Sequence, residues 1–130
     1  MRSKKVLIAD DDRGIRTALK ARLAKWGYKV VECSDGLGVI THAVAEDVDA
    51  MILDYEMPHG DGQTVARMIR CESDAPIIFL SGHVRETFRP VVFELADVYY
   101  LPKPIESERL RTLLQDCITG YRGAPAGASA

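Results

Sequence analysis

The 130-residue sequence has no basic excess: 17 Lys and Arg stand against 19 Asp and Glu, for a net charge of −2. No Lys/Arg run exceeds the Lys4-Lys5 pair. A surface that tracks nucleic-acid phosphates needs such an excess, so no nucleic-acid binding by this domain itself is expected. Long apolar runs are also missing. Only Val6 to Ala9 separate the basic start Met1-Arg2-Ser3-Lys4-Lys5 from Asp10, too few for the core of a signal peptide. No later stretch approaches membrane-spanning length, so no membrane association is expected and the cytoplasm is the expected compartment. The three cysteines, Cys33, Cys71 and Cys117, are an odd number without metal-ligand spacing. Each is expected as a small buried or half-buried apolar filler in a reducing compartment. No two of the three histidines have ligand spacing, which excludes a zinc site of the usual kind. No internal repeat is present.

What is there is ordinary globular composition, 47% apolar and 28% charged. A chain of this size buries roughly two thirds of its unfolded surface, enough for one self-sufficient core. Short continuous apolar runs at Val6 to Ala9, Lys29 to Cys33, Ala50 to Leu53, Pro76 to Leu80 and Val98 to Leu101 read as strands buried on both faces. Helix-length amphipathic stretches separate them. Ile15, Leu19, Leu23 and Trp26 form one stripe, closed by Gly27. Asp35 is suited to cap a second helix carrying Val39, Ile40 and Val44. Val65, Met68 and Ile69 mark a third helix, and Val84, Phe88, Val92 and Leu95 a fourth. Leu110, Leu113, Leu114, Cys117, Ile118 and Tyr121 mark a fifth, with Ser107 as its cap. Pro90 would break a helix interior, so the fourth helix is expected to begin near Arg89, leaving residues 83 to 89 as a longer loop. Strand and helix alternating in this way imply a parallel sheet with helices on both sides. After Tyr121 no periodic apolar residue remains, so residues 122–130 are expected as a flexible tail or the start of an interdomain linker, following a domain over residues 1–121.

Open parallel sheets bind ligands beyond the carboxyl ends of their strands. The polar residues found there are Asp10, Asp11 and Asp12 after the first strand, Asp54 after the third, Ser81 after the fourth and Lys103 after the fifth. Two carboxylates about 5 Å apart repel by roughly 3 kcal/mol at an effective dielectric near 20. One Lys103 ammonium cannot offset every pair among Asp10, Asp11 and Asp54, whereas a hard divalent cation with all-oxygen ligation would, and Mg²⁺ suits such a site. A metal-bound carboxylate can attack phosphorus and become an acyl phosphate. A lysine and a hydroxyl can stabilise the remaining phosphoryl oxygens.

Four segments carry a resemblance. The run Val6-Leu-Ile-Ala-Asp-Asp-Asp12, the segment Ile52-Leu-Asp-Tyr-Glu-Met-Pro-His-Gly-Asp-Gly62, the Phe79-Leu-Ser-Gly82 turn and Tyr100-Leu-Pro-Lys-Pro104 together resemble the response-regulator receiver family, over roughly residues 4 to 120. The resemblance implies a doubly wound (βα)5 flavodoxin-like α/β fold with a five-stranded parallel sheet in the order 2-1-3-4-5. It implies that Asp54 is the phosphoacceptor and that Asp11 and Asp54 ligate Mg²⁺ directly with the backbone carbonyl of Glu56. Asp10 would hold the metal through water. Ser81 corresponds to the hydroxyl that moves toward the phosphoryl group, Lys103 to the family lysine with a commonly cis bond to Pro104, and Tyr100 to the aromatic that turns inward. Strand alternation lets only one of Tyr99 and Tyr100 face inward, and the choice of Tyr100 comes from the resemblance.

Glu56 and His83 correspond to positions that tune hydrolysis of the acyl phosphate. The implied donor is a phosphohistidine on a sensor kinase or a phosphotransfer protein. The implied output is a change in the face formed by the fourth helix, fifth strand and fifth helix, through which a homodimer is a further expectation. Such a chain is a signal receiver rather than an enzyme, promoting only its own phosphotransfer and autodephosphorylation.

Two rival readings use the same residues. Asp10-Asp11-Asp12 contains the Asp-x-Asp of a haloacid dehalogenase-like magnesium-dependent phosphohydrolase, but Gly14 departs from that motif, no second acidic pair follows Lys103, and Asp54 would have no task. A phosphate-blind interaction module would be expected to lack the acidic pair, the acceptor or the lysine, all of which are present. Taken alone, Asp10 to Asp12 would suit a solvated helix start, and Asp61 a turn.

Overall fold

A computed structural model describes residues 3–57, 62–82 and 96–123. Within them lie five strands, β1 (Lys5–Ala9), β2 (Lys29–Cys33), β3 (Ala50–Asp54), β4 (Ile77–Ser81) and β5 (Val98–Pro102). Four helices accompany them: α1 (Arg13–Lys25), α2 (Gly36–Glu46), α3 (Gly62–Arg70) and the C-terminal α4 (Ser107–Gly123). The expected fourth helix, beginning near Arg89 with Pro90 in its first turn, and the loop expected over residues 83 to 89 lie outside the described residues. So do His59, Asp61, His83, residues 124–130 and the side chains of Val44 and Tyr121.

All strand pairs are parallel, and the sheet order is β2-β1-β3-β4-β5. Alternation along each strand divides the core in two. Leu7, Met51, Leu53, Ile77 and Phe79 join Val39, Val65 and Ile69 on the face covered by α2 and α3. Val6, Ile8, Ala50, Ile52, Ile78 and Leu80 join Leu19, Leu23, Leu110 and Leu114 under α1 and α4. The central strands β3 and β4 are buried at every residue, and each large side chain so buried contributes roughly 1.5–3 kcal/mol.

Helix caps lie at both early helices, the one at Asp35 as expected and the one at Asp12 chosen by the structure from the Asp10 to Asp12 triplet. The Asp12 carboxylate accepts from the Ile15 amide at 3.1 Å and caps α1; the Asp35 carboxylate does the same for α2 through the Gly38 amide at 2.9 Å. Gly27, at φ 97°, takes the left-handed turn after α1 that a side chain would strain.

Four expectations are corrected. Strand β2 is not buried on both faces: Lys29 and Glu32 are exposed and Val30 and Val31 half-buried. It is an edge strand flanked only by β1, so no neighbouring strand shields its outer side; β5, expected buried on both faces as well, is the opposite edge, and its Tyr99 and Tyr100 are only half-buried. Cys71 is exposed rather than a filler, because it follows the last turn of α3. Met68 is 47% exposed. The buried face of α3 is made by Val65, Ala66 and Ile69, and Met68 lies about 100° off the centre of that arc.

Candidate functional site

The strand ends deliver their polar residues to one rim. The parallel register sets Ala9 beside Leu53, Asp54 beside Leu80, and Ser81 beside Pro102. The residue after Ala9 is therefore a neighbour of Asp54, while Lys103, after Pro102 on β5, is set beside the end of β4 and reaches Asp54 only through its long side chain. Asp10 is 1% exposed, Asp54 3% and Ser81 0%, whereas Asp11 is exposed at the lip. Asp10, Asp11 and Asp54 each offer a carboxylate oxygen, and these oxygens lie within 4.8 Å of one another.

Lys103 reaches into this cluster. Its Nζ donates to Asp54 Oδ1 at 3.1 Å and stands 3.6 Å from Asp10 Oδ2. The Lys103–Pro104 peptide is cis. The Glu56 amide also donates to Asp54 Oδ1, at 3.2 Å, and the Ser81 hydroxyl donates to Glu56 Oε1 at 3.2 Å. Burial holds the Asp10 carboxyl above the ordinary carboxylate range; the Asp54 and Asp11 charges push the same way, against the Asp12 amide and Lys103. Burial opposes the Lys103 ammonium, but the hydrogen bond to Asp54 and the charges of Asp54, Asp10 and Glu56 outweigh it, so its pKa is raised.

These residues fit a hard dication. The donor set is all oxygen. One Asp10 oxygen, Oδ1, accepts from the Asp12 amide at 2.9 Å, while the buried Oδ2 has no hydrogen-bond partner among the described residues. The cation near Oδ2, Lys103 Nζ at 3.6 Å, is shared with Asp54, so the cluster keeps an excess of buried negative charge that a dication would offset.

Tyr100 lies on the α2/α3 face of edge strand β5, its ring stacked on Phe79 at 5.7 Å; Phe79 meets Tyr55 edge-on at 5.2 Å. Tyr99 packs on the opposite face, and its hydroxyl donates to Asp97 Oδ1 at 3.2 Å. The rim thus holds Asp10, Asp11, Asp54, Glu56, Ser81 and Lys103 together. Asp12 turns away from it to cap α1. The sequence pattern did not single out Arg16, whose Nη1 donates to the Asp10 carbonyl at 2.6 Å. Its only signal was a polar residue one turn into α1, beside the stripe of Ile15 and Leu19.

The family model for the response regulator receiver domain matches residues 6–115. The chain belongs to the response-regulator receiver family. Such a domain is a signalling switch rather than a classical enzyme, and a phosphohydrolase assignment is not favoured. A probable transcriptional regulator ycf27 from Cyanophora paradoxa is 39% identical over 117 residues, 86% of this chain and 48% of that protein. The response regulator MprA of Mycobacterium bovis is 34% identical over 118 residues, 87% of this chain and 51% of that protein. The receiver therefore spans about half the length of these curated relatives.

Among solved structures, the receiver domain of a Pseudomonas aeruginosa sensor histidine kinase, with magnesium ion coordinated in its active site cleft, has a TM-score of 0.81 and 27% identity, covering 90% of this chain and 98% of that one. Vibrio cholerae chemotaxis protein CheY4 has a TM-score of 0.82 and 27% identity, covering 89% and 99%. The receiver's acidic cluster is compatible with Mg²⁺ and with phosphorylation. Among the described residues, no helix is long and apolar enough to cross a membrane.

Proposed function

We propose that Asp54 accepts a phosphoryl group from a phosphohistidine of a sensor kinase or a histidine phosphotransfer protein. The observation that carries this reading is the placement of the Asp54 carboxylate: buried, within 4.8 Å of the Asp10 and Asp11 oxygens, and bonded to Lys103 at 3.1 Å. An Asp54 oxygen attacks phosphorus, the P–O bond forms as the P–N bond breaks, and the imidazole leaves with its electron pair. Asp10, Asp11, Asp54 and the Glu56 carbonyl would hold Mg²⁺, which supplies screening of the negative charge gathered between acceptor and phosphoryl group.

Lys103 is already at Asp54 Oδ1 and is placed to follow charge onto the phosphoryl oxygens. Ser81 is the hydroxyl that would leave Glu56 for the phosphoryl group. Its departure would free the space beside β4 toward which Tyr100 turns, altering the face built from the segment before β5, β5 itself and α4. A homodimer through that face, a receiver unit over residues 1–121 followed by a tail or linker, and a cytoplasmic site of action complete the reading. The transcriptional-regulator naming of relatives about twice as long fits a receiver whose state an output segment reads. Glu56 and His83 would tune the lifetime of the acyl phosphate by controlling the approach of water.

The test is intact-mass spectrometry after incubation with acetyl phosphate and Mg²⁺. One added phosphate on the wild type, and none on Asp54→Asn or with chelator, is expected. Phosphorylation persisting in Asp54→Asn would remove the proposal.

A further inference from the structure

We propose that Arg16 is the positioning residue of the metal-binding turn, its guanidinium clamped between the Asp10 carbonyl and the Glu32 carboxylate. The inference rests on the reading of Asp10, Asp11 and Asp54 as dication ligands.

The turn begins where the ladder with β2 fades. The last paired residues are Ala9 and Cys33, and the Asp10 amide reaches the Cys33 carbonyl only at 3.4 Å. The Asp10 peptide is thus weakly held on the strand side, yet its side chain must present one oxygen to the site. In the next peptide, between Asp10 and Asp11, Arg16 Nη1 donates to the Asp10 carbonyl at 2.6 Å, a short charge-assisted bond. Arg16 Nε stands 3.6 Å from Glu32 Oε1, and Glu32 Oε2 is paired with Lys20 at 3.1 Å. The guanidinium is rigid and planar, so fixing its Nε edge on Glu32 fixes where Nη1 points.

Two anchors complete the arrangement. The Arg16 amide bonds to the Asp12 carbonyl at 3.1 Å as α1 begins, and the Asp12 amide bonds to Asp10 Oδ1 at 2.9 Å. With its carbonyl held by Arg16 and Oδ1 held by Asp12, Asp10 has little freedom left, and Oδ2 faces Lys103 and the cluster. Exposed ion pairs contribute little by themselves. The Arg16 side chain, however, is only 18% exposed, against 57% for Lys20. Outer-shell partners that orient metal ligands typically change metal affinity when removed. Lysine would not substitute, since one ammonium cannot span the carbonyl and the carboxylate as the fork does.

The test uses the full chain as Arg16→Met, Arg16→Lys, Glu32→Gln and the Arg16→Met/Glu32→Gln double variant, with Asp54→Asn as reference. Mg²⁺ affinity is read by titration calorimetry, and thermal melting is compared with and without Mg²⁺. We expect Arg16→Met to weaken Mg²⁺ binding roughly tenfold or more and to shrink the Mg²⁺-induced melting increment, a quantity that loss of general stability alone would not change. Arg16→Lys should weaken binding as well, and provides the measurement if Arg16→Met does not fold. Glu32→Gln should weaken binding in the wild-type background and add nothing to Arg16→Met. Wild-type affinity in both Arg16 variants, with binding reduced in Asp54→Asn, would overturn the role of Arg16 while leaving the metal site standing. A wild-type chain that binds no Mg²⁺ would overturn both.

Discussion

The Ser81 hydroxyl donates to Glu56 Oε1 at 3.2 Å, and the backbone amide of the same Glu56 donates to Asp54 Oδ1 at 3.2 Å. One residue thus bonds both the hydroxyl proposed to move and the carboxylate proposed to be phosphorylated. A phosphoryl group on Asp54 would place new negative charge beside the Glu56 carboxylate and offer Ser81 a stronger acceptor. We expect Glu56→Ala to shorten the life of the phosphorylated form several-fold, because an anion that repels attacking water is removed. Glu56→Gln separates charge from shape, and His83→Ala should also alter the decay. Phosphate-affinity gels over time would follow it, and unchanged decay in all three variants would count against this role.

Asp10 should destabilise the metal-free protein. Its Oδ2 is buried without a hydrogen bond, and the ammonium near it, Lys103 at 3.6 Å, is shared with Asp54 in a cluster of three carboxylates. Asp10→Asn is therefore expected to stabilise the metal-free chain by roughly 1–3 kcal/mol, measured by denaturant unfolding in chelator. The same variant should lose most of the stabilisation that Mg²⁺ confers, which for a wild-type chain at a hundred times Kd is about 2.7 kcal/mol.

Thiol chemistry should separate the three cysteines. Burial pushes the Cys33 thiol up to about 11 and the Cys117 thiol up to about 12, from 9.0, with the Asp35 charge adding at Cys33 and the Asp97 charge at Cys117. Iodoacetamide at pH 8 should label exposed Cys71 rapidly and the other two only after unfolding. Both buried thiols hold protons in the fold that the unfolded chain releases above 9.0. Their contribution to stability is whole below that pH and is lost as pH rises through about 11 and about 12. The double variant Cys33→Ala/Cys117→Ala should flatten part of the alkaline stability slope, measured by urea unfolding across that range.

Gly62 opens α3 against the buried Tyr55 ring, and a Cβ there would overlap that ring. We expect Gly62→Ala to cost about 1–3 kcal/mol by overpacking, with part of the loss recovered when Tyr55 is also replaced by Leu. Since Tyr55 meets Phe79 and Phe79 stacks on Tyr100, Gly62→Ala should also perturb Tyr100. An unchanged melting temperature would contradict the packing.

Much of the candidate site was legible because its polar residues immediately follow strands. Asp54, Ser81 and Lys103 each end or follow an apolar run, and the carboxyl ends of parallel strands share one rim. The triplet Asp10 to Asp12 was ambiguous. Three identical side chains carried no local sign of which would cap and which would face the rim, and only the turn separates them: Asp12 bonds the Ile15 amide while Asp10 points inward. Arg16 escaped notice because an arginine on the first turn of an amphipathic helix looks like any solvated residue until its carbonyl partner is seen.

The sequence by itself determined the alternation of strands and helices, the cap at Asp35, the turn at Gly27 and the acidic residues at the strand ends, since each depends on residues near one another in the chain. Strand order came from resemblance, not from any run's own periodicity. Tertiary structure alone decided that β2 is half-exposed at an edge while β3 and β4 are buried throughout, that Met68 faces outward, and that Glu32 reaches Arg16. The physical reason is that the faces of a strand are written in its alternation, whereas its edges and the partners of its charged side chains depend on which distant segments the hydrogen-bonded sheet sets beside it.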